Sequence, residues 1–182
     1  MKKRLLILIL ILSPASLISA HPHITVNAYA HYYFNDRGMT GFYVQWIYDP
    51  VFSSQIIYEC DVDMNCEFSP EENSQVKDYF FNRLASDGYY LELELENRRI
   101  PVPEPLNFTA EIDPEDEVVI FTFYIPLEEQ FKDSGTRLKT GFSDPTSYTA
   151  FICPQRALSL QGPAPEVTNI KINRMGSIAF SY

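Results

Sequence analysis

The chain has 182 residues, with 24 Asp and Glu against 14 Lys and Arg, a formal net charge of −10. That length predicts one domain, and the acidic balance repels nucleic acid and anionic lipid while attracting cations. Apolar residues make up 46% of the chain and aromatic residues 14%, enough to bury a substantial core.

The first stretch reads as a secretory signal. Lys2, Lys3 and Arg4 precede an unbroken apolar run from Leu5 to Leu12, and Ser13-Pro14-Ala15-Ser16 breaks it. Ile18-Ser19-Ala20 presents a branched apolar residue at −3 and Ala at −1, an acceptable signal-peptidase site. The run is too short to span a bilayer. Residues 1–20 are therefore expected to be removed, leaving residues 21–182 as a single exported domain, periplasmic or secreted, more acidic still without its three leading cations. No later apolar stretch is long enough for a membrane-spanning helix. Cys60, Cys66 and Cys153 are odd in number, so at least one thiol stays free or pairs between molecules, and the pairing is open. The Cys-x-x-Cys of thiol redox enzymes is absent.

Cleavage after Ala20 would expose His21-Pro22-His23, placing two of the three histidines in the first three mature residues. The α-amino group and ring of His21 can chelate one metal ion, and His23 can add a second imidazole, a donor set suited to Cu, Ni and Zn. Pro22 removes the alternative in which a deprotonated second backbone amide ligates. From Ile24 to Phe34 the even positions are predominantly apolar, predicting a strand with one buried face. His31 shares the odd face with His23, but eight strand residues separate them by about 26 Å. His31 is expected on the solvent face.

Asn35-Asp36-Arg37-Gly38 predicts a turn into a second strand, Met39 to Tyr48, with Phe42, Val44 and Trp46 on one face. Asp49-Pro50 reads as an N-cap and first helical residue, opening a short helix over 50–59. The following stretch, Asp61 to Glu72, fits an EF-hand-like loop. Asp61, Asp63, Asn65, Glu67 and Glu72 fall at positions 1, 3, 5, 7 and 12, a candidate Ca²⁺ ligand set. Cys66 stands at position 6, where a residue of positive φ is required and Gly is usual; an unusually placed disulfide could hold it there. Ser69 with Glu72 forms a capping box, and Val76, Phe80, Phe81 and Leu84 predict a helix over about 70–86.

Tyr90 to Glu96 alternates Leu and Glu, a strand with one solvated acidic face. Pro101, Pro103 and Pro105 mark an extended link. Leu106 to Ile112 and Glu117 to Pro126 read as strands, 128–135 as a polar loop, and Arg137 to Phe142, Tyr148 to Cys153, Ala157 to Gln161, Val167 to Asn173 and Ser177 to Tyr182 as further short strands. The expected class is α+β: an antiparallel β-sandwich or rolled sheet with a helix–loop–helix insertion after the first hairpin. An outer-membrane barrel is disfavoured by the helical middle. No Ser/His/Asp set and no phosphate loop stands out, so a non-enzymatic protein is expected.

Several of these segments, in this order, resemble the bacterial exported family called domain of unknown function 1007. They are Ala20-His-Pro-His-Ile24, Trp46-Ile-Tyr-Asp49, the Asp61–Glu72 loop, Tyr79-Phe80 with Asp87-Gly88, and Asp144-Pro-Thr-Ser-Tyr148. The family is often labelled the periplasmic component of an uncharacterised ABC-type transport system. The resemblance implies a metal-binding accessory to transition-metal (Ni, Co or Zn) transport, working with an inner-membrane metal permease or ABC transporter, and the donors of the terminus add Cu to the candidate metals. It also marks a departure, because the family's loop typically carries Gly where Cys66 stands. The competing expectation is a structural or protein-interaction module with no functional metal.

Overall fold

The alternating segments become strands whose two faces differ sharply in burial. In the computed structural model, which describes residues 23–127, 136–163 and 166–181, β1 (Ile24–Asn35) buries Val26, Ala28, Ala30, Tyr32 and Phe34. The antiparallel β2 (Gly38–Tyr48) buries Phe42, Val44 and Trp46 beside them. Gly41 of β2 sits at φ +151°, and a Cβ there would lie 2.3 Å from the Ile125 carbonyl oxygen. Only glycine fits this close approach of two strands. The signal segment, His21 and the polar loop 128–135 lie outside the described residues.

Two sheets enclose the core. The remaining strands are β3 (Leu91–Leu95), β4 (Arg98–Ile100), β5 (Leu106–Asp113), β6 (Val118–Pro126), β7 (Arg137–Phe142), β8 (Thr149–Ile152), β9 (Leu158–Gln161), β10 (Thr168–Asn173) and β11 (Ser177–Ser181). One sheet runs β5-β6-β2-β1-β8, with β9 also paired to β1; the other runs β10-β11-β7-β3-β4. Tyr32 stitches them together: its hydroxyl donates to Thr140 Oγ1 across the core at 2.7 Å, and its ring meets Phe180 edge-on.

The first sheet is mixed and not purely antiparallel, because β8 and β9 both add to β1 in parallel. Their chain arrives from β7 in the opposite sheet. A crossover, unlike a hairpin, imposes no antiparallel direction. Two further differences from the sequence reading concern β3. Glu96 and Asn97, at φ +49° and +62°, form a tight turn that folds Arg98–Ile100 back as β4, an element the sequence reading does not contain. The acids of β3 are also partnered, with Glu92 meeting Arg99 at 3.2 Å and Glu94 meeting Lys139 at 2.8 Å.

Helical segments follow β2. Asp49 caps α1 (Pro50–Cys60), its Oδ1 accepting from the Val51 and Phe52 N–H groups while its Oδ2 accepts from Thr25 N–H at 2.6 Å. α2 (Pro70–Val76) opens on the Ser69–Glu72 capping box. The expected helix over 70–86 is not uniform: a π-helical turn spans Lys77–Phe81, and the 3₁₀ turns that follow within Asn82–Tyr90 are broken by a kink at Asp87, Gly88 and Tyr89. The wider turn re-aims the apolar stripe and sets Phe81 against Phe108 and Phe123, with centroids 4.4 and 4.8 Å away. Ser53 Oγ accepts from Val119 N–H, and the Asn73 amide makes two hydrogen bonds to the Ala110 backbone. These bonds fix the helical segments over β5 and β6 and bring the two ends of the intervening loop together.

Candidate metal centre

The loop between α1 and α2 is organised by its own carboxylates. Asp61 is buried; its Oδ1 accepts from Asn65 N–H at 3.1 Å and its Oδ2 from Cys66 N–H at 3.0 Å. Glu72, in the first turn of α2, reaches back across the loop. Its Oε1 accepts from Val62 N–H at 2.6 Å and its Oε2 from Ser69 N–H at 2.9 Å. The Ser69 N–H bond, followed by that from Val62, holds the Glu72 carboxyl below the usual carboxylate range, because both bonds favour the charged form. Met64 and Cys66 both take positive φ, +57° and +62°. The loop template demands such a conformation at its sixth position, and here a cysteine adopts it.

Asp61, Asp63 and Glu72 converge, with one carboxylate oxygen from each within 4.8 Å of the others. Three like charges at that spacing repel, and a cation relieves the repulsion. The donors are all carboxylate oxygens, the set preferred by hard ions such as Ca²⁺ and Mg²⁺. Each oxygen that accepts one N–H retains a second lone pair, so the internal hydrogen bonds are compatible with ligation. The other two residues of the expected set lie along the same loop. Asn65 is turned to its neighbours, accepting from Glu67 N–H and donating to Asp63 Oδ2. The Glu67 side chain is exposed, and the template position it holds supplies a backbone carbonyl.

No disulfide supports the loop: Cys60 and Cys153 are buried free thiols and Cys66 is an exposed one. Burial pushes both Cys60 and Cys153 up to about 11, which leaves them as protonated, inert core residues.

The histidines are placed separately. His23 is exposed; its backbone N–H donates to the Tyr148 carbonyl at 2.9 Å and its ring lies 4.8 Å from the Tyr148 ring. Tyr148 is positioned by Asp144, whose Oδ1 accepts from Thr146 and whose Oδ2 accepts from Thr149 N–H at 2.8 Å. Burial alone would raise the Asp144 carboxyl, but these bonds hold it below its ordinary value. Asp144-Pro-Thr-Ser-Tyr148 thus anchors the start of β1, a role signalled by Asp-Pro-Thr-Ser as a turn sequence but absent from the sequence reading. Among the described residues no three-ligand cluster includes His23, and His21 lies outside them. His31 is not a free solvent-face residue. It is half-buried beside β9, in register with Ser159, bonds through Nδ1 to Ser159 Oγ at 2.6 Å, and has its pKa lowered by burial.

A curated relative from Spirochaeta aurantia, an uncharacterised 15.5 kDa protein in the trpE 3′ region, is 31% identical over 97 residues, 53% of this chain and 67% of that protein. No solved structure matches. A family model described as protein of unknown function (DUF1007) matches residues 5–173, nearly the whole β-rich body and the acidic loop. The chain belongs to that family.

Proposed function

We propose that this chain is a non-enzymatic, divalent-cation-binding accessory protein, exported to the periplasm or secreted after loss of residues 1–20. It would work beside an inner-membrane metal permease or ABC-type transporter. The observation that carries the reading is the convergence of Asp61, Asp63 and Glu72 within 4.8 Å. We read the two helices after the first hairpin as an insertion whose task is to present this loop, with a Ca²⁺-like ion as its structural ligand. The cargo in this reading is a transition metal, held by the imidazoles of His21 and His23 and the freed amine. Anchoring of His23 to Tyr148 would keep that terminus in a defined place beside the sheet.

The test is calorimetric titration of the protein beginning at His21 with Ca²⁺, Zn²⁺, Ni²⁺ and Cu²⁺. Ca²⁺ binding is expected to vanish in Asp61→Asn/Glu72→Gln and to survive in His21→Ala/His23→Ala. Transition-metal binding is expected to show the opposite pattern and to weaken when one residue precedes His21. Absence of all binding would favour the second reading, a protein-interaction module with no functional metal. That reading is favoured by the exposed apolar residues Val51 and Tyr58 on α1.

A further inference from the structure

Beside the loop, and sharing Asp61 with the carboxylate cluster, lies a groove of about 520 Å³. Its wall and floor include Ile57 and Tyr58 of α1, Met64 of the loop and Ile112 of β5, and its rim includes Asp116 and Glu117. Tyr58 is 87% exposed and Met64 83% exposed, and Val51 and Val62 nearby are 78% and 72% exposed. Val51 and Tyr58 lie two turns apart on one face of α1, where a solvated helix would carry polar side chains. Tyr58 and Met64 both line the groove, and such exposed apolar surface is of the kind that marks an interaction site.

The charge around the groove selects the partner. Both of its walls come from stretches without a single cation: no Lys or Arg occurs between Arg37 and Lys77, or between Arg99 and Lys132, while Asp and Glu recur in both. No residue lining the groove is basic. We propose that the groove docks a cationic amphipathic segment of a partner protein, with apolar side chains laid against Tyr58 and Met64 and Lys or Arg against Asp116 and Glu117. Helix-in-groove recognition follows this division, with apolar anchors supplying affinity and complementary charge supplying orientation and rate. An anionic partner or an anionic membrane would be repelled by the same rim. Asp61, one of the three converging carboxylates, also lines the groove, so a bound cation would lower the negative charge of that wall while leaving Asp116 and Glu117 to meet the partner.

Cys66 is exposed and contributes to the groove wall, so an environment-sensitive thiol fluorophore on it reports occupancy locally, while Cys60 and Cys153 are buried. The probe is a Lys/Leu amphipathic helical peptide, titrated in parallel by fluorescence anisotropy, with a Lys/Ser peptide of equal charge and an Asp/Leu peptide of equal apolarity as comparators. The Lys/Leu peptide is expected to shift the Cys66 reporter to the blue. Its binding should weaken about tenfold or more in Tyr58→Ala/Met64→Ala and again in Asp116→Asn/Glu117→Gln. All four side chains are exposed, so both variants should fold, as circular dichroism will verify. Equal binding of the Lys/Ser peptide, or wild-type binding by both variants, would overturn the proposal by reducing the effect to bulk charge. Concentration-dependent self-association abolished by Tyr58→Ala/Met64→Ala would assign the groove to a second copy and overturn it equally.

Discussion

Replacing Cys66 with Gly is expected to stabilise the protein. Cys66 holds φ +62°, a conformation that costs a non-glycine residue about 1–2 kcal/mol. Glycine removes that penalty but adds unfolded-chain freedom worth about 0.4–1 kcal/mol. The Cys66 side chain is exposed and forms no disulfide, so its loss forfeits little packing. The hydrogen bond to Asp61 Oδ2 comes from the backbone N–H and survives the change. The net expectation is a gain of about 0.5–1 kcal/mol, or a midpoint rise of about 1–4 °C for a chain of this size. Cys66→Ala is the essential comparison, because alanine keeps the backbone penalty and should leave stability nearly unchanged. Urea unfolding of the three proteins under reducing conditions gives the answer. A Gly variant no more stable than the Ala variant would show that the loop relaxes its backbone at no cost, and the strain account would fail.

Three other outcomes are expected. Asp49→Ala removes the cap of α1 and leaves the Thr25 N–H without its partner, which should cost about 1–3 kcal/mol in chemical denaturation. The Glu72 carboxyl is held below its ordinary value in the folded chain. Its contribution is therefore fully present above the unfolded carboxylate pKa, about 4.3, and is lost as pH falls through the lower folded value. Glu72→Gln should accordingly flatten the loss of stability below about pH 5; an unchanged acid slope would contradict the hydrogen-bonding account. Finally, a thiol reagent at neutral pH should modify Cys66 alone in the native protein and reach Cys60 and Cys153 only on unfolding, given their burial. Rapid reaction of all three without denaturant would refute the buried assignment.

Much of the chain is legible because its signals are local. Alternation at Val26, Ala28, Ala30 and Tyr32 sets which face of β1 turns inward, and those residues are fully buried. Asp49-Pro50 and Ser69 with Glu72 mark helix starts through bonds spanning three residues or fewer. The left-handed backbone at Cys66 is predictable from its place in a twelve-residue template, and the same short span brings Asp61 and Glu72 together. The family resemblance rests on such segments as well, and the match over residues 5–173 covers all of them.

Other features depend on contacts that no local pattern encodes. A strand's alternation specifies its faces but not its neighbour, so the parallel docking of β8 and β9 on β1 follows from where the crossover from β7 lands. His31 looks like a solvent-face residue until β9 pairs with β1 and sets Ser159, far along the chain, beside it. The helix predicted through 70–86 is remodelled at Lys77–Phe81 so that Phe81 can meet Phe108 and Phe123, a tertiary packing demand that outweighs intrinsic helix geometry. The groove is likewise decided by tertiary structure. Tyr58, Met64 and Ile112 come from separate segments and form one surface only after α1 docks on β6 and α2 on β5. The sequence by itself determined periodicity, caps and loop chemistry, whose hydrogen bonds close over a few residues. Strand partners, the burial of His31 and the shape of the groove rest on long-range contacts, which exist only once the sheets and helices have assembled.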